Sequence, residues 1–249
     1  MVIEVVSTMR NEAMNIPHFI KMIVDLRAEL SIDLRAVVVD NGSLDNTADI
    51  ISTLPTKTFI TFLKNPTGST YSEGIERAIA EVSSPYVLIV PGDLQFDEAD
   101  ILEMLKIFLE AVKDLDGQNT RLAFLTSRKS RTDGKFLKFR GSVWRYVVTR
   151  VLKIDSTLDP ASQLKIIPTP REFISVSKNF IWDIEVLLWV IKSVTRYEVF
   201  EVSFKPRIRG KTSLPRNPLK TMSTAIIGLL RLSHGLNRPN SSGKSHFMR

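Results

Sequence analysis

A chain of 249 residues, 43% hydrophobic and 24% charged, can bury a sizeable core as one large domain or two small ones and has an ordinary globular composition. It contains no cysteine, which excludes disulfides, zinc–thiolate centres and thiol nucleophiles. The net charge of +7 is segregated: from Lys205 onward there are ten Lys or Arg and no acid, and residues 128–153 carry nine bases against one acid, Asp133. Such blocks point to a polyanionic partner: nucleic acid, an acidic membrane or phosphates.

The N-terminus, MVIEVVSTMRNEA, runs straight into a strand, so no signal peptide is expected. No apolar run approaches the roughly 20 residues that span a bilayer. The nearest, residues 222–232, is short and contains Arg231. Cytoplasmic placement is the resulting expectation. Residues 2–7 read as a strand, and Asn15-Ile16-Pro17 opens a helix with Asn15 as its cap and Pro17 in the first turn. Residues 35–39 are a second, continuously apolar strand ending in the turn Asp40-Asn41-Gly42-Ser43, and a helix follows Asp45-Asn46-Thr47.

A short strand at 59–63 leads into the loop Asn65-Pro66-Thr67-Gly68. The helix at 71–82 places Gly74 and Ala78 four apart, which permits close packing. Residues 86–90 are a third apolar strand, stopping at Pro91-Gly92 and delivering Asp93, Gln95 and Asp97 to its end. Asp97 suits the cap of an amphipathic helix at 98–113, and 121–126 is a further strand. Strand–helix alternation predicts an α/β fold: a mostly parallel central sheet with helices on both faces. Ligands of such sheets sit beyond the carboxyl ends of strands, where Asp40 and Asp93 would share one crevice.

The second half is less regular. Residues 137–152 read as a helix mixing bases with Trp144 and Tyr146, 158–166 as short irregular structure, 184–194 as an apolar helix and 199–204 as a strand. After the breaker at 215–218, residues 219–232 form a one-sided helix flanked by Arg216, Lys220 and Arg231. Such a helix lies on anionic headgroups, or packs on its own domain or a second subunit. Residues 237–249, polar and rich in Ser and Gly, read as disordered.

Four motifs resemble the family 2 glycosyltransferases of GT-A fold, most closely the polyprenyl (dolichyl)-phosphate sugar synthases such as dolichol-phosphate mannosyltransferase. VVSTMRNEAMNI is similar to the opening strand and its turn, with Asn11 and Glu12 in place. VVVDNGSLDNT resembles the turn that holds base and ribose, which implicates Asp40, Gly42 and Ser43, with Gly68 in the neighbouring loop. PGDLQ stands where the family has Asp-Ala-Asp-Leu-Gln, so the resemblance implies Asp93 and Gln95 as ligands of Mg²⁺ or Mn²⁺, with Pro91 in place of the first acid. A hard cation of this kind keeps water and phosphate oxygens beside one or two carboxylates.

TSRKSRTDG, Ser142 and LDPASQLK resemble the arginine-bearing loop and Asp-x-x-Ser segment that grip an acceptor phosphate, which implies roles for Arg128 and Arg131, and weaker ones for Lys138 and Arg140. PRIRGKTS resembles a lid in which Arg207 and Lys211 close over phosphates. The resemblance implies a GT-A domain over 1–213; beyond it, the residues read as an amphipathic helix over 214–236 and a basic, disordered tail over 237–249. The resemblance also implies a nucleotide-sugar donor, inversion, and a polyprenyl-phosphate acceptor met at the inner membrane surface. An ionised phosphate needs no strong base, so positioning and charge stabilisation dominate. A glycan hydroxyl acceptor is the alternative; it would need a base, Asp183 or Glu185. A degenerate protein that only binds nucleotide-sugar is the third reading. Nucleic acid is not expected, because it would leave the acidic crevice without a use. The oligomeric state stays open.

Overall fold

The computed structural model describes residues 3–53, 58–114, 120–131, 135–173, 175–177, 181–207 and 218–237. In chain order these form β1 (Ile3–Met9), α1 (Ile16–Leu30), β2 (Arg35–Asp40), α2 (Thr47–Thr53), β3 (Ile60–Lys64), α3 (Tyr71–Ala80) and β4 (Tyr86–Ile89). There follow α4 (Glu98–Asp114), β5 (Leu122–Arg131), α5 (Lys135–Leu152), β6 (Lys165–Pro168), α6 (Trp182–Ser193), β7 (Arg196–Phe204) and α7 (Pro218–Asn237). The seven strands make one sheet in the order β3-β2-β1-β4-β6-β5-β7. All neighbours are parallel except β6, which is antiparallel to both β4 and β5. The expected α/β architecture is therefore present, with one reversed strand.

Alternate residues of the central strands enter opposite layers. Val5, Val38 and Leu88 join Phe19 and Ile23 of α1 and Met104 and Phe108 of α4. Val6, Val37 and Ile89 join Ile75 and Ala78 of α3 and Trp182 and Val186 of α6. Burial on both faces is why these strands read as unbroken apolar runs. A third cluster joins Val148 and Leu152 of α5, Ile184 and Leu188 of α6, and Ala225, Leu229 and Leu232 of α7. The C-terminal helix thus packs on its own chain. Among the described residues no helix is long and apolar enough to cross a membrane.

Three local expectations change. β6 begins within the stretch read as irregular and runs two residues past it: it is only four residues long, begins with the buried Lys165 and ends with Pro168. Asn15 occupies the cap position of α1, but its side chain does not cap the helix; it donates to Glu12 instead. β7 starts at Arg196, three residues before the apolar run suggests, because pairing with β5 begins at Leu122 and this edge strand needs no buried face there. The stretch beyond Asn237 lies outside the described residues.

Candidate active site at the carboxyl edge of the sheet

Register brings the strand ends level. Met9 pairs with Asp40, Asp40 with Lys64, and Val6 with Ile89. The turns after β1, β2, β3 and β4 therefore share one edge. Asn11, at a positive φ of 56°, ties the first two together: its backbone N–H donates to Ser43 Oγ at 2.9 Å, and its Oδ1 accepts from Leu44 N–H at 2.8 Å. Asp40 Oδ1 accepts from Ser43 N–H at 3.1 Å and from the Ser43 hydroxyl. Asp40 Oδ2, in contrast, is buried with no hydrogen-bond partner.

Gly42 is needed where it stands. Its φ is +72°, and a Cβ there would lie 2.4 Å from the carbonyl oxygen of Pro66, so the β2 and β3 turns touch through backbone. Asn41, in the second position of that turn, is occupied in holding the scaffold: Nδ2 donates to Thr70 O at 2.6 Å, and Oδ1 accepts from Asn65 Nδ2 at 2.9 Å. Gly68, at φ +92°, has open space where a Cβ would be.

The turn after β4 is drawn tight. A Cβ on Gly92 would meet Met9 Cγ at 2.5 Å, and Leu94 takes a φ of 57°. Asp93 and Gln95 are thereby held against the end of β7. Gln95 Nε2 donates to Lys205 O at 3.0 Å, and Lys205 N–H donates to Gln95 O at 2.7 Å. Arg207, two residues on, bridges two strand ends: Nη1 lies 2.8 Å from Glu12 Oε1 and Nη2 lies 2.9 Å from Asp93 Oδ2. Burial pushes the Glu12 carboxyl above its ordinary value, Arg207 and Asn15 pull it back, and the Asp93 charge adds to the rise. Lys205 pairs with Asp97, which holds that carboxyl low, and Asp97 Oδ1 caps α4 at Ala99 N–H.

A second charged pair lies further along the edge. Arg128 Nε and Nη2 grip Asp159 Oδ2 and Oδ1 at 2.7 and 3.0 Å, and the guanidinium lies 5.1 Å from the centre of the Phe204 ring. Burial pushes Asp159 up, but the hydrogen bonds and charge of Arg128 outweigh it and leave the carboxyl low. Behind this pair, Lys165 Nζ meets Asp183 Oδ1 at 2.6 Å, both side chains being almost fully buried. Thr126, Asp159, Ser162, Lys165 and Asp183 line one cavity of about 10 Å³, room for about one water. Tyr71 also hydrogen-bonds Asp183; burial first, and then the Asp183 charge, push its hydroxyl well above its ordinary value. Glu185, 1% exposed, accepts from Val176 N–H at 2.9 Å, and burial raises its carboxyl.

Asn11, Glu12, Asp40, Gly42, Ser43, Asp93, Gln95 and Arg207 are thus brought together, with Gly68 on the adjoining loop and Arg128 toward β5. The side chains of Arg131, Lys138 and Arg140, and all of Lys211, lie outside the described residues. Sequence reasoning did not single out Lys165 or Tyr71; a lysine heading an apolar run was the available signal for the first. Among the described residues no three acids or histidines stand close enough to form a metal cage. The donor set is lean: Pro91 offers no side-chain oxygen, Asp93 Oδ2 faces Arg207, and the Gln95 amide nitrogen faces a carbonyl. Asp93 and the Gln95 carbonyl suit a hard divalent ion only if it keeps its waters and the phosphates of a ligand.

The fold is similar to solved glycosyltransferases. Glucosyl-3-phosphoglycerate synthase from Mycobacterium tuberculosis superposes with a TM-score of 0.65 at 18% identity, over 96% of this chain and 82% of that one. The same enzyme has been solved with Mn²⁺, UDP and glucosyl-3-phosphoglycerate (TM-score 0.66, 15% identity, 96% and 81% covered). Mannosyl-3-phosphoglycerate synthase from Rubrobacter xylanophilus gives a TM-score of 0.65 at 15% identity, over 98% and 78% of the two chains. Comparison with curated proteins finds none that matches. The family description "Glycosyl transferase family 2" matches residues 4–161, well over half of the chain and every strand end described above as far as β5. The chain therefore belongs to glycosyltransferase family 2.

Proposed function

We propose that this chain transfers a sugar, with inversion, from a nucleoside-diphosphate sugar to a polyprenyl phosphate at the cytoplasmic surface of a membrane. The observation that carries the acceptor reading is the pairing of Asp183 with Lys165. A hydroxyl acceptor needs a base beside the anomeric carbon; Asp183 is held by a buried ammonium, and Glu185 is buried, with one oxygen taken by the Val176 N–H and the other shut away from solvent. An acceptor phosphate arrives ionised and needs neither.

The donor's base and ribose offer N–H and O–H groups to Asp40 Oδ2, relieving a buried, unpartnered oxygen that costs about 1–3 kcal/mol as it stands. The diphosphate lies toward Asp93, where it competes with the acids for Arg207. Arg128 is assigned to the acceptor phosphate, and the motif assigns Arg131 the same task. An acceptor phosphate oxygen bonds to the anomeric carbon as the bond from that carbon to the diphosphate oxygen breaks, and the leaving nucleoside diphosphate takes the electron pair. No proton changes hands. Arg207 offsets the charge on the leaving group, with Lys211 assigned the same task. When a Mg²⁺ or Mn²⁺ ion is bound by Asp93 and Gln95, it supplies further positive charge at the diphosphate.

The test is a matrix of labelled nucleotide-sugars against polyprenyl phosphates and hydroxyl-bearing glycans. Product on the phosphate alone is the expected result. Transfer to a glycan hydroxyl that fails in Asp183→Asn supports the other acceptor class. Nucleotide-sugar binding with no transfer and no hydrolysis across the matrix leaves a binding protein.

A further inference from the structure

Helix α5 carries two apolar stripes where a surface helix ordinarily carries one. Val148 and Leu152 are buried in the cluster shared with α6 and α7. Around the helix from them, Phe139, Val143, Tyr146, Val147 and Val151 are exposed, Phe139 by 69% and Tyr146 by 65%. Their spacings of four, three, one and four residues place them on one outward face. Helix α7, packed against α5, adds Ile226, Ile227 and Leu230, each about half exposed. Single exposed hydrophobics are ordinary, but a row of them beside a second group marks a contact surface.

The charge of the same helices identifies what the surface meets. Over Lys135–Leu152 and Pro218–Asn237 there are seven Lys or Arg and no Asp or Glu. Arg150 and Arg231 are exposed alongside the apolar rows. A second copy of the chain would set these bases against their own kind, with no acid on either helix to neutralise them. An apolar, anionic surface answers both features.

Topology sets this face beside the crevice. β4 and β5 are both antiparallel to β6, so they run the same way and end at the same edge. α5 follows at once from the end of β5, the strand that carries Arg128, and its exposed row begins in its second turn at Phe139. We infer that the outward face of α5, with the exposed side chains of α7, docks on an anionic lipid bilayer and holds the acceptor side of the crevice against it. This rests on the acceptor reading given above.

The full chain is sedimented with vesicles of phosphatidylcholine alone and of phosphatidylcholine with about one third phosphatidylglycerol. Binding to the anionic vesicles is expected, weakened by added salt. The double variant Val143→Glu/Val147→Glu changes two exposed positions, so its melting temperature and nucleotide affinity stay unchanged while its vesicle affinity falls about tenfold or more. Absence of binding to the anionic vesicles, or equal binding by the variant, overturns the inference. So does a wild-type dimer in sedimentation velocity that this variant dissociates, because the face then belongs to a second copy. Turnover of a short, soluble polyprenyl phosphate without vesicles separates the two claims. Turnover without vesicle binding removes the docking surface alone, and vesicle binding without turnover of any polyprenyl phosphate removes the acceptor reading.

Discussion

Arg207 Nη2 lies 2.9 Å from Asp93 Oδ2, and its other nitrogen reaches Glu12, so one guanidinium joins the ends of β1 and β4 to the segment after β7. The contact spans 114 residues of sequence to Asp93 and 195 to Glu12. It places a cation at the only acid of the β4 turn's Pro-Gly-Asp, where a leaving diphosphate would gather charge.

Replacing Arg207 by Ala is expected to weaken nucleoside-diphosphate binding about 10–100-fold, with nucleoside monophosphate far less affected, since charge-assisted bonds are worth roughly 1.5–3 kcal/mol. Calorimetric titration of both nucleotides checks this. A second readout is Glu12, whose carboxyl is already raised. A raised carboxyl favours the folded state below the unfolded value of 4.5 and loses that contribution as pH rises through the folded value. Removing Arg207 takes away the largest opposing influence, so the window must extend upward. Melting temperature against pH, compared between the two proteins, reports it; an unmoved profile removes Arg207 from contact with Glu12 in solution.

Pro91 and Asp93 give a paired test of the divalent ion. Asp93→Ala is expected to abolish the extra thermal stabilisation that Mn²⁺ adds to nucleotide, while nucleotide alone still stabilises the fold. Pro91→Asp supplies a second carboxylate at the strand end, and the Mn²⁺ concentration giving half the effect should fall about tenfold. No change in either variant would place any bound metal elsewhere.

The pair Arg128–Asp159 is mostly buried, with side chains 12% and 7% exposed, so its two halves are not equivalent to delete. Arg128→Ala leaves a buried carboxylate unpaired and is expected to cost about 3–5 kcal/mol, read by urea unfolding. Arg128→Leu/Asp159→Leu should recover much of that loss and yet fail to use a phosphate acceptor. The depressed Asp159 carboxyl adds stability above the unfolded value of 3.8, and this is lost as pH falls through the lower folded value. Acid unfolding of the double variant should therefore begin at lower pH relative to its own plateau.

Much of this layout was readable before any coordinates. Strands buried on both faces must be continuously apolar, which made β1, β2 and β4 plain and put Asp40 and Asp93 at their ends. The Asp40–Ser43 turn is local, and its residue types state its geometry. The reversal at β6 was not readable, because four residues led by Lys165 show no period and strand direction is set by neighbours far along the chain. Asn15 failed as a cap for a local reason: its backbone is already helical, and its side-chain amide turns back to donate to Glu12, three residues earlier. Nor was the scaffold role of Asn41 readable, because the partners of its side chain, Asn65 and Thr70, lie 24 and 29 residues on.

The proposed acceptor class rests on the Lys165–Asp183 pair, and two substitutions separate its structural from its chemical part. Lys165→Met leaves Asp183 buried without its counter-ion and should destabilise the fold by about 3–5 kcal/mol. Asp183→Asn keeps an acceptor for Lys165 and for the Tyr71 hydroxyl, so its stability loss should be smaller. If Asp183 only positions Lys165 and Tyr71, Asp183→Asn lowers kcat for a phosphate acceptor less than about tenfold and leaves the acid limb of the pH–rate profile in place. A general base would instead be worth about 100- to 10,000-fold, and its loss would remove that limb. Measuring kcat and KM for the wild-type protein and Asp183→Asn from about pH 5 to 9 distinguishes these outcomes. A loss confined to KM places the pair in acceptor positioning, because an interaction felt equally in ground and transition states changes binding without changing the chemical step.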